Sequence, residues 1–461
     1  MLVIEPGEPA VVLDFFVEAP GRGADPAARA ELIPITVSFG DAVQIFNIGS
    51  ASVGTYGMPA GLATASARYG SMPLSELVAP AAAMARDGVP LSERQAYVIE
   101  ILGALVTSTP ESAAVFAPDG NLLEPGDTIR QPGLADALEL LGAEGATPFY
   151  RGEVAEAIVS WVRARGGMLT MADLAAYEVI DRAPVRALYR DREVVTNPPP
   201  SAGGILIARA LRLLDEGPSP PSLEAIVEAM QATQALRTTE FLDGLDDPGF
   251  VARFLQAGGA ASRRAAAPPG NVGDPPGRLG STTHIAVIDC EGRACSVTSS
   301  NGASSGVIVP GTGVHLNNML GEQDLNPLGF HRHPPGRRLP SMMAPTAVLR
   351  EGRPQLVLGS AGSNRIRSAI LQTIVRVIDD GMRAPDAVQA PRVHYEDGIV
   401  YAEPGFDPER IGGTGNAYAA FRDRNLFFGG VQAVEQDDDG RFWGGGDPRR
   451  GGAAIVVEER G

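Results

Sequence analysis

The sequence predicts a layered α/β or α+β protein with a large core, and three observations carry that reading. Amphipathic helical stretches and short alternating strands recur in both halves of the 461-residue chain, which favours sheets covered by helices. A hydrophobic fraction of 44% against 20% charged residues is that of a globular protein with a substantial interior. No internal repeat and no low-complexity tail breaks the pattern. Length alone suggests about three domains, although layered proteins of this size often form one compact unit.

The elements follow from local pattern. Met1 to Glu8 reads as strand then turn, and residues 10–16 as the returning strand. Apolar spacing predicts a helix over 74–88, with Gly88 as its stop, and further helices over 133–142, 153–165 and 171–177. Ser222 is placed to cap a helix over 223–236. Residues 258–280, with Pro268-Pro269-Gly270 and Pro275-Pro276-Gly277, read as a linker with few packing contacts. Beyond it come short strands at 285–289, 294–299, 347–349 and 355–358. An amphipathic helix over 365–380 follows, ended by Gly381.

Charge and composition exclude several functions. A net charge of −17 repels a phosphate backbone, and no basic stripe offsets it, so no nucleic-acid partner is expected. All 38 basic residues are arginine. The two cysteines, Cys290 and Cys295, flank a turn at Glu291-Gly292 and read as free, partly buried thiols. No apolar run approaches the roughly 20 residues of a membrane helix. No charged-then-apolar leader opens the chain, which places it as given in the cytoplasm; a start further upstream would permit export. His331-Arg332-His333 has no carboxylate or cysteine set nearby, so it reads as loop histidines, and neither metal nor cofactor is expected.

Chemistry concentrates at Thr282, in Gly280-Ser281-Thr282-Thr283-His284, directly ahead of an alternating strand. A threonine exposed there by self-cleavage is nucleophile and base at once, because its α-amine titrates near neutrality beside its hydroxyl.

Around this residue the chain resembles the γ-glutamyltranspeptidase (glutathione hydrolase) family of N-terminal-nucleophile hydrolases. The resemblance runs through Thr282-Thr283-His284, Asp289, Gly292, Ser296 to Asn301, Leu316-Asn317-Asn318, Arg338 to Thr346, Gly359-Ser360-Ala361-Gly362 and Asp447-Pro448-Arg449. Upstream it includes Tyr69 to Leu74, Ala85 to Gly88, Leu174 to Tyr177 and Pro198 to Gly204. Nearly the whole chain is covered in the same order, which is far more specific than one short motif.

The resemblance implies an α+β fold, a four-layer αββα sandwich, cut between Ser281 and Thr282. The products would be a large-subunit-like region, 1–281, and a small-subunit-like region, 282–461, remaining together as a heterodimer. It implies that Thr298 and Ser300 orient Thr282, and that backbone N–H groups of Gly362 and Ser363 receive the oxyanion; the family's second glycine is Ser363 here. Asn301, Asp324 and Ser341 fall where the family holds the α-amino and α-carboxylate groups of a γ-glutamyl donor. Glu322 is the neighbour of Asp324 that competes for its role, and Met342 replaces a serine. Direct alignment puts Asp25 at the family's carboxylate-gripping arginine, with Arg22 a shifted counterpart.

The expected activity is γ-glutamyl amide hydrolysis or transfer, with water or an amine or peptide as acceptor. Loss of the arginine clamp and of the serine favours a related acylase of cephalosporin-acylase type as the second reading. The resemblance also implies a Gly-rich, helical segment ahead of the strand at which Met1 stands. A chain beginning there is expected either to be cut short at its start or to lack a supporting layer, and a third reading is an uncut, non-catalytic homologue.

Overall fold

The computed structural model describes residues 1–25, 31–38, 43–247, 249–256, 270–271, 282–326 and 329–457. They form two compact units that interleave along the chain: Met1–Val12, Asp181–Ser299 and Pro340–Gly461, and then Leu13–Ile180 with Ser300–Leu339. This spatial division differs from the 1–281 and 282–461 fragments a cut would leave. Of the linker expected over 258–280, only Gly270–Asn271 lies among the described residues, as a short strand.

Among the described residues the first unit carries three sheets, a four-stranded one holding Val393–Glu396 and two larger ones packed on each other. One of the larger two has the strand order Thr282–Ile288, Ala294–Ser300, Leu2–Ile4, Val11–Asp14, Ile180–Arg182. The other runs Phe442–Gly446, Gly430–Gln436, Arg353–Ala361, Thr346–Arg350, Arg192–Thr196, Val185–Tyr189. Thr282–Ile288 packs across Arg353–Ala361 and Gly430–Gln436. Its residues alternate, as a strand with one covered face must. His284 and Ile288 are buried, whereas Thr283, Ile285 and Val287 are exposed. Leu2, Ile4, Val12, Val195, Ile288, Ala294, Ala347 and Val357 form the dry layer between the sheets.

Helices Ala202–Asp215, Leu223–Ala235, Arg365–Ile378 and Ala384–Gln389 supply the largest apolar core of this unit, together with the six-stranded sheet. The unit thus stacks sheet, sheet and helix as an α+β sandwich does. Most expected helices lie within a few residues of their sequence bounds. Ser222 does cap Leu223–Ala235, its hydroxyl accepting from Ala225 N–H.

Helix Ala202–Asp215 was not legible in the sequence, because Pro198-Pro199-Pro200 and Gly203-Gly204 imitate a loop. Packing explains the glycines. A Cβ at Gly203 would lie 2.2 Å from the Met342 carbonyl oxygen, and one at Gly204 would lie 2.1 Å from the Asn197 carbonyl oxygen. The helix needs them for close approach, and that outweighs their roughly 1 kcal/mol propensity cost.

The second unit is mainly helical. Leu74–Asp87 packs along Pro132–Glu144, and Phe149, Tyr150, Val154, Ile158, Val162, Leu169 and Leu174 build its core. The helix expected over 171–177 ends earlier, at Ala175. Thr170 and Asp173 close a capping box at its start. Three buried tyrosines tie loops to this core: Tyr56 donates to Phe149 O, Tyr150 to Tyr56 O and Tyr177 to Phe16 O.

Candidate active site

Thr282, Thr298, Ser341, Met342, Gly362 and Ser363 lie on the first unit; Arg22, Ser300, Asn301, Glu322 and Asp324 lie on the second. Ser281 and the side chain of Asp324 fall outside the described residues.

On the first unit, Thr282 opens its strand, and the same strand turns His284 into the layer between the sheets. His284 is 5% exposed. Its Nδ1 lies 2.9 Å from Thr298 Oγ1, and its Nε2 lies 3.5 Å from Ser296 Oγ. The Ser296 hydroxyl donates to Leu358 O at 3.0 Å and accepts from Thr346 N–H at 3.2 Å. With that proton committed, Nε2 is the protonated nitrogen that meets Ser296. Nδ1 therefore accepts from the Thr298 hydroxyl. Thr298 keeps its oxygen lone pairs for another donor.

Burial holds the His284 imidazole neutral, pushing its pKa from 6.5 down to about 3. His284 belongs to the motif quoted above, but sequence reasoning gave it no role. Its position two residues beyond Thr282, on the same strand face, is the signal that finds it.

Gly359 makes room for the ring, since a Cβ there would stand 2.3 Å from His284 Cε1. Gly359→Ala should therefore force the sheets or the imidazole apart. We expect a loss of about 1–3 kcal/mol, read as a lower denaturation midpoint, together with impaired self-cleavage.

The strand Arg353–Ala361 delivers Gly362 and Ser363 into a turn that starts helix Arg365–Ile378. Gly362 has φ +123°, and a Cβ there would lie 2.8 Å from Gly429 Cα. Ser363 adopts φ +51°, a left-handed conformation that costs a non-glycine residue about 1 kcal/mol or more. The turn therefore tolerates the serine in the shape a glycine would take. It also sits at the positive end of a 14-residue helix, where negative charge is favoured.

Ser341 is 6% exposed, and its carbonyl accepts from Ala202 N–H and the Ser201 hydroxyl. Met342 is 7% exposed, with its side chain in the apolar core. It fills volume there, and a thioether offers no charged grip.

On the second unit, Ser300 Oγ accepts from Gly302 N–H at 3.1 Å, a local turn bond. Asn301 is exposed; its amide donates to His315 O at 3.3 Å, and its carbonyl accepts from Asn318 N–H. Glu322 Oε1 and Asn318 Oδ1 both accept from Ala303 N–H, each at 2.9 Å. Asn317 exchanges two bonds with the Gly54 backbone. Glu322 and Asn318 thus hold the loop after Asn301.

Arg22 pairs with Glu18 at 3.2 Å and lies 3.8 Å from Asp173. Its backbone N–H also donates to Asp173 at 2.9 Å. Arg338 is buried beneath the same segment, donating to Phe16 O and Glu178 O and pairing with Glu18. Cys290 is exposed and Cys295 half-buried, both as free thiols. Among the described residues no helix is long and apolar enough to cross a membrane, and no group of three His, Cys, Asp or Glu is placed to hold a metal ion.

Two further histidines are held neutral by burial: His315, with its pKa down to about 4, and His394, also lowered. The sign follows directly. The unfolded chain takes up these protons below pH 6.5 while the native chain refuses them, so stability falls as pH drops. His284 alone should cost roughly 2 kcal/mol at pH 5 relative to neutrality. Unfolding midpoints measured from pH 7.5 to 5 check this, and a flat profile would contradict it.

Two sheets packed face to face under helices, with Thr282 opening the edge strand of one of them, form an α+β sandwich of the N-terminal-nucleophile hydrolase type. The fold is shared with cephalosporin acylase from Bacillus halodurans, with a TM-score of 0.79 at 24% identity over 100% of this chain and 87% of that one. Residues 18–457 match the Gamma-glutamyltranspeptidase family, and the chain belongs to that family. It is 32% identical over 396 residues to the glutathione hydrolase proenzyme of Escherichia coli K12, covering 78% of this chain and 67% of that protein. It is 33% identical over 382 residues to the acylase ACY 1 proenzyme of Pseudomonas sp. V22, covering 79% and 68%. The chain spans about two thirds of the length of the curated relatives it matches.

Proposed function

We propose that this chain is a self-cleaving amidohydrolase and acyltransferase that works through Thr282 as an N-terminal nucleophile, with γ-glutamyl amides of glutathione type as donors. The observation that carries the reading is the Thr298 hydroxyl, spent as a donor on a buried neutral His284 and so left as an acceptor on the strand next to that of Thr282.

In maturation, Thr282 Oγ attacks the Ser281 carbonyl carbon, the Ser281–Thr282 amide nitrogen leaves, and an ester links the two residues. Water hydrolyses that ester, freeing the Ser281 carboxylate and the Thr282 hydroxyl beside the α-amine that the departing nitrogen has already become. In turnover the amine takes the hydroxyl proton as Oγ attacks the substrate amide. The oxyanion is received by the Gly362 and Ser363 backbone N–H groups, with the helix N-terminus behind them. The amine then returns its proton to the departing amine, leaving an acyl-enzyme that water or an amine acceptor resolves. Ser300 assists in orienting Thr282. Asn301, Glu322, Asp324 and Ser341 are the proposed holders of the donor's polar end, and the cut fragments remain as a heterodimer.

A second reading, an acylase for non-glutamyl acyl groups, is favoured by Arg22. Its charge is already engaged by Glu18 and approached by Asp173, which leaves less for a substrate carboxylate. The test has two stages. Intact mass after incubation at neutral pH should resolve two fragments parting at Ser281/Thr282, and a folded chain that stays whole would overturn the proposal. Rates on a γ-glutamyl anilide and on a glutaryl amide then separate the readings. Preference for the glutaryl compound would replace the glutamyl assignment.

A further inference from the structure

Resting on that reading of Gly362 and Ser363, we infer that Glu396 and His394 are positioning residues that hold the oxyanion turn through Asn364. The turn needs holding, because Ser363 occupies a left-handed conformation that relaxes unless its surroundings fix it. Asn364 follows it directly, 3% exposed at the N-cap of helix Arg365–Ile378. Asparagine is among the best N-cap residues, yet this side chain makes no capping bond to its own helix. It is drawn aside instead. Its amide donates to Glu396 Oε1 at 2.8 Å, and its carbonyl accepts from Arg237 Nη1 at 3.2 Å.

Glu396 ends the strand Val393–Glu396, which is fastened along the helix at one-turn intervals. Ser368 Oγ meets His394 Nδ1 at 2.6 Å. Gln372 exchanges two bonds with the Val393 backbone, at 2.8 and 3.0 Å. Positions 364, 368 and 372 form one i, i+4, i+8 stripe, and the strand answers with 396, 394 and 393. His394 Nε2 faces Glu396 Oε2 at 3.4 Å, so Nε2 carries the proton and Nδ1 accepts from Ser368.

The order Ser, His, Glu is that of a hydrolytic triad, but no substrate reaches it. Ser368 is 6% exposed and borders a void of about 10 Å³, room for one water. The stripe serves as a brace, and its last link is the residue next to the oxyanion turn. A displacement of even about 1 Å in such donors costs up to roughly 100-fold in rate.

The test uses the matured protein and its best amide substrate. Glu396→Ala should lower kcat about 10- to 100-fold while KM moves less than about threefold. A boronic acid mimic of the tetrahedral intermediate should lose affinity in the same proportion as kcat. Glu396→Gln keeps an acceptor for Asn364 and should recover kcat to within about threefold of the parent. If Glu396→Ala does not accumulate as folded protein, Asn364→Ala cuts the same link from the other side and should show the same split. Unchanged kcat in a folded Ala variant, or a loss confined to KM, overturns the inference. A wild-type protein that cuts itself but hydrolyses no amide would overturn the proposed function instead.

Discussion

Thr282→Ala is expected to give a single uncut chain of 48.0 kDa with no measurable amide hydrolysis. The wild-type protein should resolve into fragments 1–281 and 282–461. The size of the effect follows from the economy of the site. One side chain supplies the oxygen that attacks in both maturation and turnover, and one backbone nitrogen becomes the base, so removing the hydroxyl removes both steps together. Activity should fall by at least about a thousandfold. The fold should survive, because Thr282 is only half-buried at the head of its strand, and removal of a hydroxyl and methyl there leaves no enclosed cavity. Thr282→Ser should still cut and turn over, at a reduced rate. Intact mass, a thermal melt and hydrolysis of the best amide decide the matter. Two fragments from the alanine variant would eliminate Thr282 as the nucleophile.

The second large effect is on stability. Asp447 is fully buried and accepts from Val431 N–H at 2.8 Å and Arg449 N–H at 3.0 Å. Its two oxygens also pair with Arg392 at 2.7 Å and Arg449 at 3.1 Å. Arg449 continues to Glu403, through Nε at 2.7 Å and through its second terminal nitrogen. The two arginines beside Asp447 hold its carboxyl below the usual range, against the desolvation that raises it.

Asp447→Ala would leave the buried Arg392 charge with carbonyl partners, Phe428 O and Val388 O, in place of its paired carboxylate, and would leave Glu403 as the carboxylate facing Arg449. Removing one partner from a buried ionic cluster costs about 3–5 kcal/mol. Arg86→Ala is the control. It breaks a bidentate pair with Glu139 and a contact to Asp136, but these groups are solvent-exposed, where screening leaves an ion pair little effect on stability. Urea unfolding of both variants in the uncut Thr282→Ala background compares them as single chains. Equal midpoints would refute the argument.

Much of the fold was legible because the chain is locally consistent. The strand hairpin around Glu291-Gly292 and the helix beginning at Arg365 both show their period in the residues themselves. Helix Ala202–Asp215 was hidden, since its glycines answer to Met342 and Asn197, far away in sequence. The site divided in the same manner. Thr282 stood out by its place ahead of an alternating strand, whereas Thr298 and Gly362-Ser363 were proposed through the resemblance to the family. Glu396 and Asn364 carry no pattern, as acidic and amide residues at such spacings are usually solvated turns.

By itself the sequence determined the alternation of elements, the threonine at the head of a strand and the family signature, because periodicity and local motifs are properties of near neighbours. Only the tertiary structure decided that His284 is neutral, that Arg22 is engaged by Glu18, and that Glu396 reaches Asn364. Burial and hydrogen bonding between residues distant in the chain set a group's charge and direction, and both exist only once the layers have packed.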